Sequence, residues 1–178
     1  MTAVKSSMAE DLRQWGQEYT RRWLAALRRK GQPDWKLYRY IRNRPGPAAE
    51  PVRLRNTRLV LISSAGAYDP TCQLPFQAAS LLGDYSLRLL PADTDPGRLQ
   101  FAHDHYDHRY VEADRNVLIP LDRLRELVQE GFLGSVTESW ISFMGYQPDI
   151  RRVLRQLIPQ IRDQVRMMEA EAALLVPS

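Results

Sequence analysis

Cysteine is almost missing from this chain. A single thiol, Cys72, stands in 178 residues, which excludes an internal disulfide and suits a reducing compartment. Histidine is nearly as scarce, and all three imidazoles fall in one hexapeptide, His103-Asp104-His105-Tyr106-Asp107-His108. No apolar run approaches the roughly 20 residues that a membrane-spanning helix needs. The first residues lack the apolar stretch of a secretion signal, so the expected setting is cytoplasmic, with no membrane partner. Ser63-Ser64-Ala65-Gly66 lacks the spacing of a phosphate-cradling loop, and no G-x-S-x-G elbow is present. Internal repeats and low-complexity tracts are absent as well.

What is present is an ordinary globular composition, 44% hydrophobic and 26% charged, with a formal net charge of +4. The positive excess is local. Arg21, Arg22, Arg28, Arg29, Lys30, Lys36, Arg39, Arg42 and Arg44 crowd one stretch, interleaved with Trp15, Trp23, Trp35, Tyr38 and Tyr40. Such a segment can touch nucleic acid, but without a recognised binding module the reading preferred is a solvated helix face with its aromatics turned inward. From about Met8 to Lys30, Leu12, Trp15, Tyr19, Trp23 and Leu27 recur at helical spacing, and Gly31-Gln32-Pro33 stops the helix. Trp35 to Ile41 is expected to form a second, shorter helix. Arg44 to Ala49 reads as a linker, dividing a basic helical arm (residues 1–50) from the remainder (51–178).

The remainder alternates strands and helices. Arg58 to Gly66 reads as a continuous apolar strand, buried on both faces, that ends in a turn of small residues. Further strands are expected at Ser86–Leu90, Leu99–Ala102 and Ala172–Val176, the last read as buried, with a strand or irregular segment over Ser135–Met144. Pro120 to Glu130 reads as a helix with proline in its first turn and Gly131 as its stop. A long helix from Asp149 to about Ala170 is expected to kink at Pro159. Together these define an α/β fold of three layers on a mainly parallel sheet, flavodoxin-like or related, with a helical N-terminal arm.

The histidine hexapeptide satisfies H-x-H-x-D-H, the pattern of metallo-β-lactamase-like hydrolases. One reading is therefore a mononuclear zinc hydrolase with His103, His105 and His108 as ligands. A dinuclear site of that kind draws on histidines from distant loops, and this chain has none outside 103–108. Another reading faces His103 and His105 into a cleft for proton transfer, since imidazole titrates near neutrality. A third makes the segment a solvated loop of an inactive binding or regulatory protein. Asp114, Asn116, Asp122 and Arg123 serve equally as a loop-ordering network or a substrate cradle.

Several separated segments then line up with one family. They include Leu59–Asp69, Gly83-Asp84-Tyr85-Ser86-Leu87-Arg88, His103-Asp104-His105-Tyr106-Asp107, Asp114-Arg115-Asn116-Val117, Pro120-Leu121-Asp122-Arg123-Leu124-Arg125-Glu126-Leu127, Met144-Gly145-Tyr146 and Ala173-Leu174-Leu175-Val176-Pro177. In order and close together, they resemble the glycine/sarcosine/betaine/D-proline reductase selenoprotein B family over roughly residues 58–178. The resemblance implies reductive cleavage of a carbon–nitrogen or other reducible bond in a small amine or amino acid. It implies a selenocysteine, or a cysteine in its place, as nucleophile directly after a strand like Leu174–Pro177. That position falls after Ser178, so the chain is expected to be cut at a selenocysteine codon. Cys72 does not match it. His103 and His105 become the proton-transfer or orienting groups, and Asp107, Asp114, Asn116, Asp122 and Arg123 the supporting ones. No cofactor is expected on this chain itself, a pyruvoyl group is expected on a partner reductase subunit, and homo-oligomer formation is left open.

Overall fold

The computed structural model describes residues 9–44, 50–102 and 106–178. His103, Asp104, His105 and the linker residues 45–49 lie outside them. Among the described residues, seven short strands make two sheets. The larger holds β1 (Arg58–Ser63), β3 (Leu87–Pro91), β5 (Ser135–Val136), β6 (Ser139–Phe143) and β7 (Ala172–Val176). Strand β1 runs through its middle. One edge of β1 pairs in parallel with β7 along its length, Leu59 opposite Ala172 through Ser63 opposite Val176. Its other edge is shared by β5, at Leu59–Val136, and β6, at Ile62–Ile141, both parallel. Strand β3 closes the far side antiparallel to β6. The sheet is thus mixed but mostly parallel, an α/β arrangement.

Alternation along β1 decides the layers, because successive side chains point to opposite faces. Leu59 and Leu61 join Leu118, Ile119, Leu121, Leu124 and Trp140 in one core cluster, which seats α4 (Leu121–Gln129) on that face. Val60, Ile62 and Ile141 join Ile161, Val165 and Met168 in another, which seats α6 (Ile158–Met167) on the opposite face. The expectation that β1 is covered on both sides holds, with Leu59 through Ser63 all buried.

One expectation is corrected. Strand β7 is not buried: it is an edge strand whose burial alternates, and Leu175, opposite Ile62, is 68% exposed. A short apolar run reads the same whether one or both faces are covered, so the sequence pattern could not separate the two. Pro159 lies inside a continuous run of helical backbone: α5 (Ile150–Arg152) passes into a π-helical turn, Val153–Leu157, and that turn into α6. The wider π turn just before it accommodates the ring and the hydrogen bond that proline cannot donate.

The arm is α1 (Leu12–Glu18), a π-helical turn (Tyr19–Leu24) and α2 (Ala25–Lys30), ended by Gly31 at φ 69. Trp15, Tyr19 and Trp23 stack in sequence, at 4.8 and 5.3 Å between ring centroids. The expected second helix is only a 3-10 turn, Trp35–Leu37. Beyond it the chain is extended, because Tyr38 turns edge-on to Trp15, Tyr19 and Trp23 and donates its hydroxyl to the Pro148 carbonyl at 2.9 Å. Packing of one aromatic thus overrides helical periodicity and ties the arm to the domain.

Candidate functional site

The turn Ser64-Ala65-Gly66, which follows β1, gathers four other segments by hydrogen bonds. The Ser64 amide donates to the Val176 carbonyl at 3.0 Å, and the Ser178 amide donates to Ser64 Oγ at 2.8 Å, which holds the end of β7. The Gly145 amide donates to the Ser64 carbonyl at 3.1 Å and the Gly66 amide to the Phe143 carbonyl at 2.9 Å, which holds the end of β6. The Ala102 amide donates to the Gly66 carbonyl at 3.0 Å, and the Tyr106 hydroxyl donates to the Ala65 carbonyl at 3.1 Å. These last two residues flank His103-Asp104-His105 on either side. Gly66 takes φ 66, a conformation that only glycine adopts without strain. In open α/β sheets, ligands bind beyond the carboxyl ends of the strands, and this turn occupies such a position for β1, β6 and β7.

A two-stranded ribbon leads Ala102 to this turn. Strand β2 (Ala67–Tyr68) pairs antiparallel with β4 (Gln100–Phe101), which ends just before Ala102 and His103. Asp69, buried at the end of β2, clamps the ribbon: it accepts from the Thr71 hydroxyl at 2.6 Å, the Thr71 amide at 2.9 Å and Arg98 at 2.6 Å. Thr71 first, with Arg98, holds its carboxyl below the usual carboxylate range. A carboxyl whose folded value is depressed contributes stability in full above its unfolded value of about 4, and loses it as pH falls through the folded value. The urea midpoint is therefore expected to fall below pH ~4 less steeply in Asp69→Asn than in the parent chain. Parallel curves would remove Asp69 from the acid response.

Among the histidines, His108 is described. It packs against Tyr106 at 4.6 Å and Phe101 at 6.3 Å between ring centroids. Burial pushes the Tyr106 phenol far above its ordinary value, so it stays protonated and donating. The other candidates fall in two places. Asp107 is engaged by the guanidinium of Arg109, at 2.6 Å, which holds its carboxyl low. Asp114, Asn116 and Asp122 do come together: Asn116 Nδ2 donates to Asp114 Oδ1 at 3.0 Å and to Asp122 Oδ2 at 3.2 Å, and the Asp122 amide donates back to Asn116 Oδ1. Asp114 also caps the 3-10 turn Arg115–Val117, and Arg125 pairs with Asp122 at 2.6 Å. This network staples the entry to α4. Arg123 points elsewhere, to Glu126 at 2.6 Å on the exposed side of α4. Cys72 lies exposed on the turn after β2.

Beside the turn, Gly145 also lines a cavity of about 650 Å³ walled by Trp35, Tyr38, Tyr40, Tyr146 and Gln147. The rings stand steeply to one another, Trp35 at 86° to Tyr146 and Tyr38 at 71° to Tyr40. Gln147 holds the loops around it, its Nε2 donating to the Asp84 and Met144 carbonyls at 2.8 Å, while its buried Oε1 has no partner among the described residues. Helical periodicity conceals this cavity, because it assigns Trp35 and Tyr38 to one face of a helix. The one signal for it was the Met144-Gly145-Tyr146 block. Among the described residues no group of three His, Cys, Asp or Glu side chains is placed to hold a metal, and no helix is long and apolar enough to cross a membrane.

A mostly parallel α/β sheet with a converging loop cluster at its strand ends defines the class. The profile of the glycine/sarcosine/betaine reductase selenoprotein B family matches residues 41–175, and the chain belongs to that family. It is similar to the D-proline reductase subunit gamma of Acetoanaerobium sticklandii, 29% identical over 138 residues that cover 76% of this chain and 55% of that protein. It is also similar to the glycine reductase complex component B subunit gamma of Symbiobacterium thermophilum, 28% identical over 153 residues that cover 82% of this chain and 34% of that protein. The chain thus spans about half the length of one relative and a third of the other. No solved structure matches it.

Proposed function

We propose that this chain is part of a reductase complex that reductively cleaves a carbon–nitrogen bond in a small amine or amino acid. The nucleophile is a selenolate or thiolate placed after Ser178. One observation carries the reading: the turn Ser64–Gly66 binds both the end of β7 and the two residues that flank His103-Asp104-His105. A nucleophile that follows β7 and an imidazole from that segment then serve one crevice. As the nucleophile's electron pair forms the new bond to carbon, the carbon–nitrogen pair departs with the amine, which takes a proton from His103 or His105. A second thiolate then attacks the selenium or sulfur; the bond pair passes to carbon, which takes a proton, and a selenosulfide or disulfide is left as the oxidised product. Membership in a family of reductase-complex subunits supports a partner chain, and a pyruvoyl group that activates the amino group belongs to that partner. The aromatic cavity suits the substrate's nitrogen as it gains positive charge, because ring faces attract cations and Gln147 Oε1 offers a buried acceptor.

The test is turnover of the reconstituted complex. His103→Ala or His105→Ala is expected to lower kcat about 100-fold or more, the range for losing a general acid. Asn116→Ala, which loosens the α4 entry, should lower the melting temperature and leave kcat within about two-fold of the parent. Undiminished turnover in both histidine variants would sink the proposal. Stoichiometric zinc lost on His105→Ala would favour the hydrolase reading instead.

A further inference from the structure

A cavity of about 740 Å³ is lined by residues of the arm and of the helix that begins at Ile150. Five arginines line it from separate parts of the chain: Arg13 of α1, Arg21 of the first π-helical turn, Arg44, Arg151 of α5 and Arg155 of the second π-helical turn. One carboxylate, Asp11, lines it with them, and that group lies 3.8 Å from Arg39. Arg151 is already paired with Asp149 at 2.8 Å. Arg13, Arg21, Arg44 and Arg155 have no ion pair among the described residues. Guanidiniums stay charged at every physiological pH, so four of them around one concavity repel one another until an anion enters.

The arm and the domain meet beside this cavity. A Cβ built on Gly16 of α1 would lie 3.4 Å from Arg151 Cδ, an ordinary contact, so the Arg151 side chain lies directly against the arm there. Thr20, one turn on, gives its hydroxyl to the Gly16 carbonyl at 2.8 Å and leaves that oxygen 3.5 Å from Arg151 Nη1. Arg22, Arg28 and Arg29, equally basic, do not line the cavity. Part of the arm's positive charge is therefore gathered into a concavity of small-ligand size, together with two arginines of the domain.

We propose that this pocket binds a compact polyphosphate, one with at least two phosphate groups, and that binding staples the arm to the domain. Arginine forks match phosphate oxygens two at a time, and a ligand with several phosphates offers enough oxygens for arginines contributed by both the arm and the domain's helix. The site lies away from the turn Ser64–Gly66 and stands whether or not the reductase reading does.

The experiment is calorimetric titration of the whole chain with inorganic tripolyphosphate, pyrophosphate, orthophosphate and ATP. Tripolyphosphate is expected to bind one-to-one and orthophosphate at least ten-fold more weakly. Arg21→Ala in the arm and Arg155→Ala in the domain's helix should each weaken tripolyphosphate at least ten-fold, whereas Arg28→Ala should change it less than two-fold. Each variant's unliganded melting curve guards against misfolding. ATP binding more tightly than tripolyphosphate identifies a nucleotide as the source of the phosphates, and equal affinity identifies an inorganic chain. No binding, or equal losses in Arg28→Ala and Arg155→Ala, overturns the proposal. So does single-stranded RNA that binds more tightly than tripolyphosphate and is lost in Arg28→Ala, since that result assigns the charge to a surface stripe.

Discussion

Trp140→Ala is expected to destabilise the chain by about 4 kcal/mol, within the range for removing a buried tryptophan. Trp140 is fully buried on β6 and packs in the cluster that joins β1 to α4. Its removal opens a void that a sheet held between β1 and β3 cannot collapse around. The indole N–H, however, is buried without a partner among the described residues, and an unsatisfied buried donor costs about 1–3 kcal/mol. Trp140→Phe removes that donor while keeping most of the apolar volume, so its cost is expected to stay near 1 kcal/mol, about the size of a well-tolerated core swap. Urea denaturation of the two variants measures the difference. Similar losses in both would mean that the indole N–H is satisfied in solution and that the cavity alone does not govern this site.

Gly83→Ala is expected to cost about 3 kcal/mol, a fall of roughly 6–12 °C in melting temperature for a domain of this size. Two penalties combine. Gly83 has φ 76, which strains any other residue. A Cβ there would also lie 2.6 Å from the Tyr146 carbonyl and 3.0 Å from Pro148 Cδ. The clash is with backbone, so neither loop can yield by a side-chain rotation. Gly131 separates the two causes: it has φ 73, and a Cβ added there would meet nothing within 4 Å. Gly131→Ala should therefore show only the backbone strain, about 1 kcal/mol. Equal falls in the two variants would exclude the close approach of the Gly83 and Tyr146 loops. Because Tyr146 walls the aromatic cavity, Gly83→Ala should also weaken any amine bound there.

Much of the scaffold could be read without coordinates. Strand β1 announced itself as an unbroken apolar run from Leu59 to Ile62, and helix α4 by Pro120, its apolar face and Gly131. Gly31 ended the arm helix as expected. The recognition of the family rested on blocks that turn out to share one neighbourhood. Leu59–Asp69, Met144-Gly145-Tyr146 and the residues around Tyr106 all meet at the turn after β1. The supporting polar residues were harder to interpret. Asp114, Asn116 and Asp122 have the same residue types whether they cradle a substrate or cap a turn, and only their mutual hydrogen bonds identify the second arrangement.

Local pattern was enough for β1, the arm helix, α4 and their ends, though not for Trp35–Ile41, because burial periodicity, proline and glycine act within a few residues of themselves. It also sufficed for family membership, which depends on the order of short motifs along the chain. Which face of β7 is covered, where Pro159 falls relative to the π-helical turn, and which arginines meet across the arm were settled only by the tertiary structure. Those outcomes follow from side-chain packing between segments distant in the chain, as when Tyr38 reaches Pro148 and Arg151 passes beneath Gly16. No spacing rule within either segment contains that information.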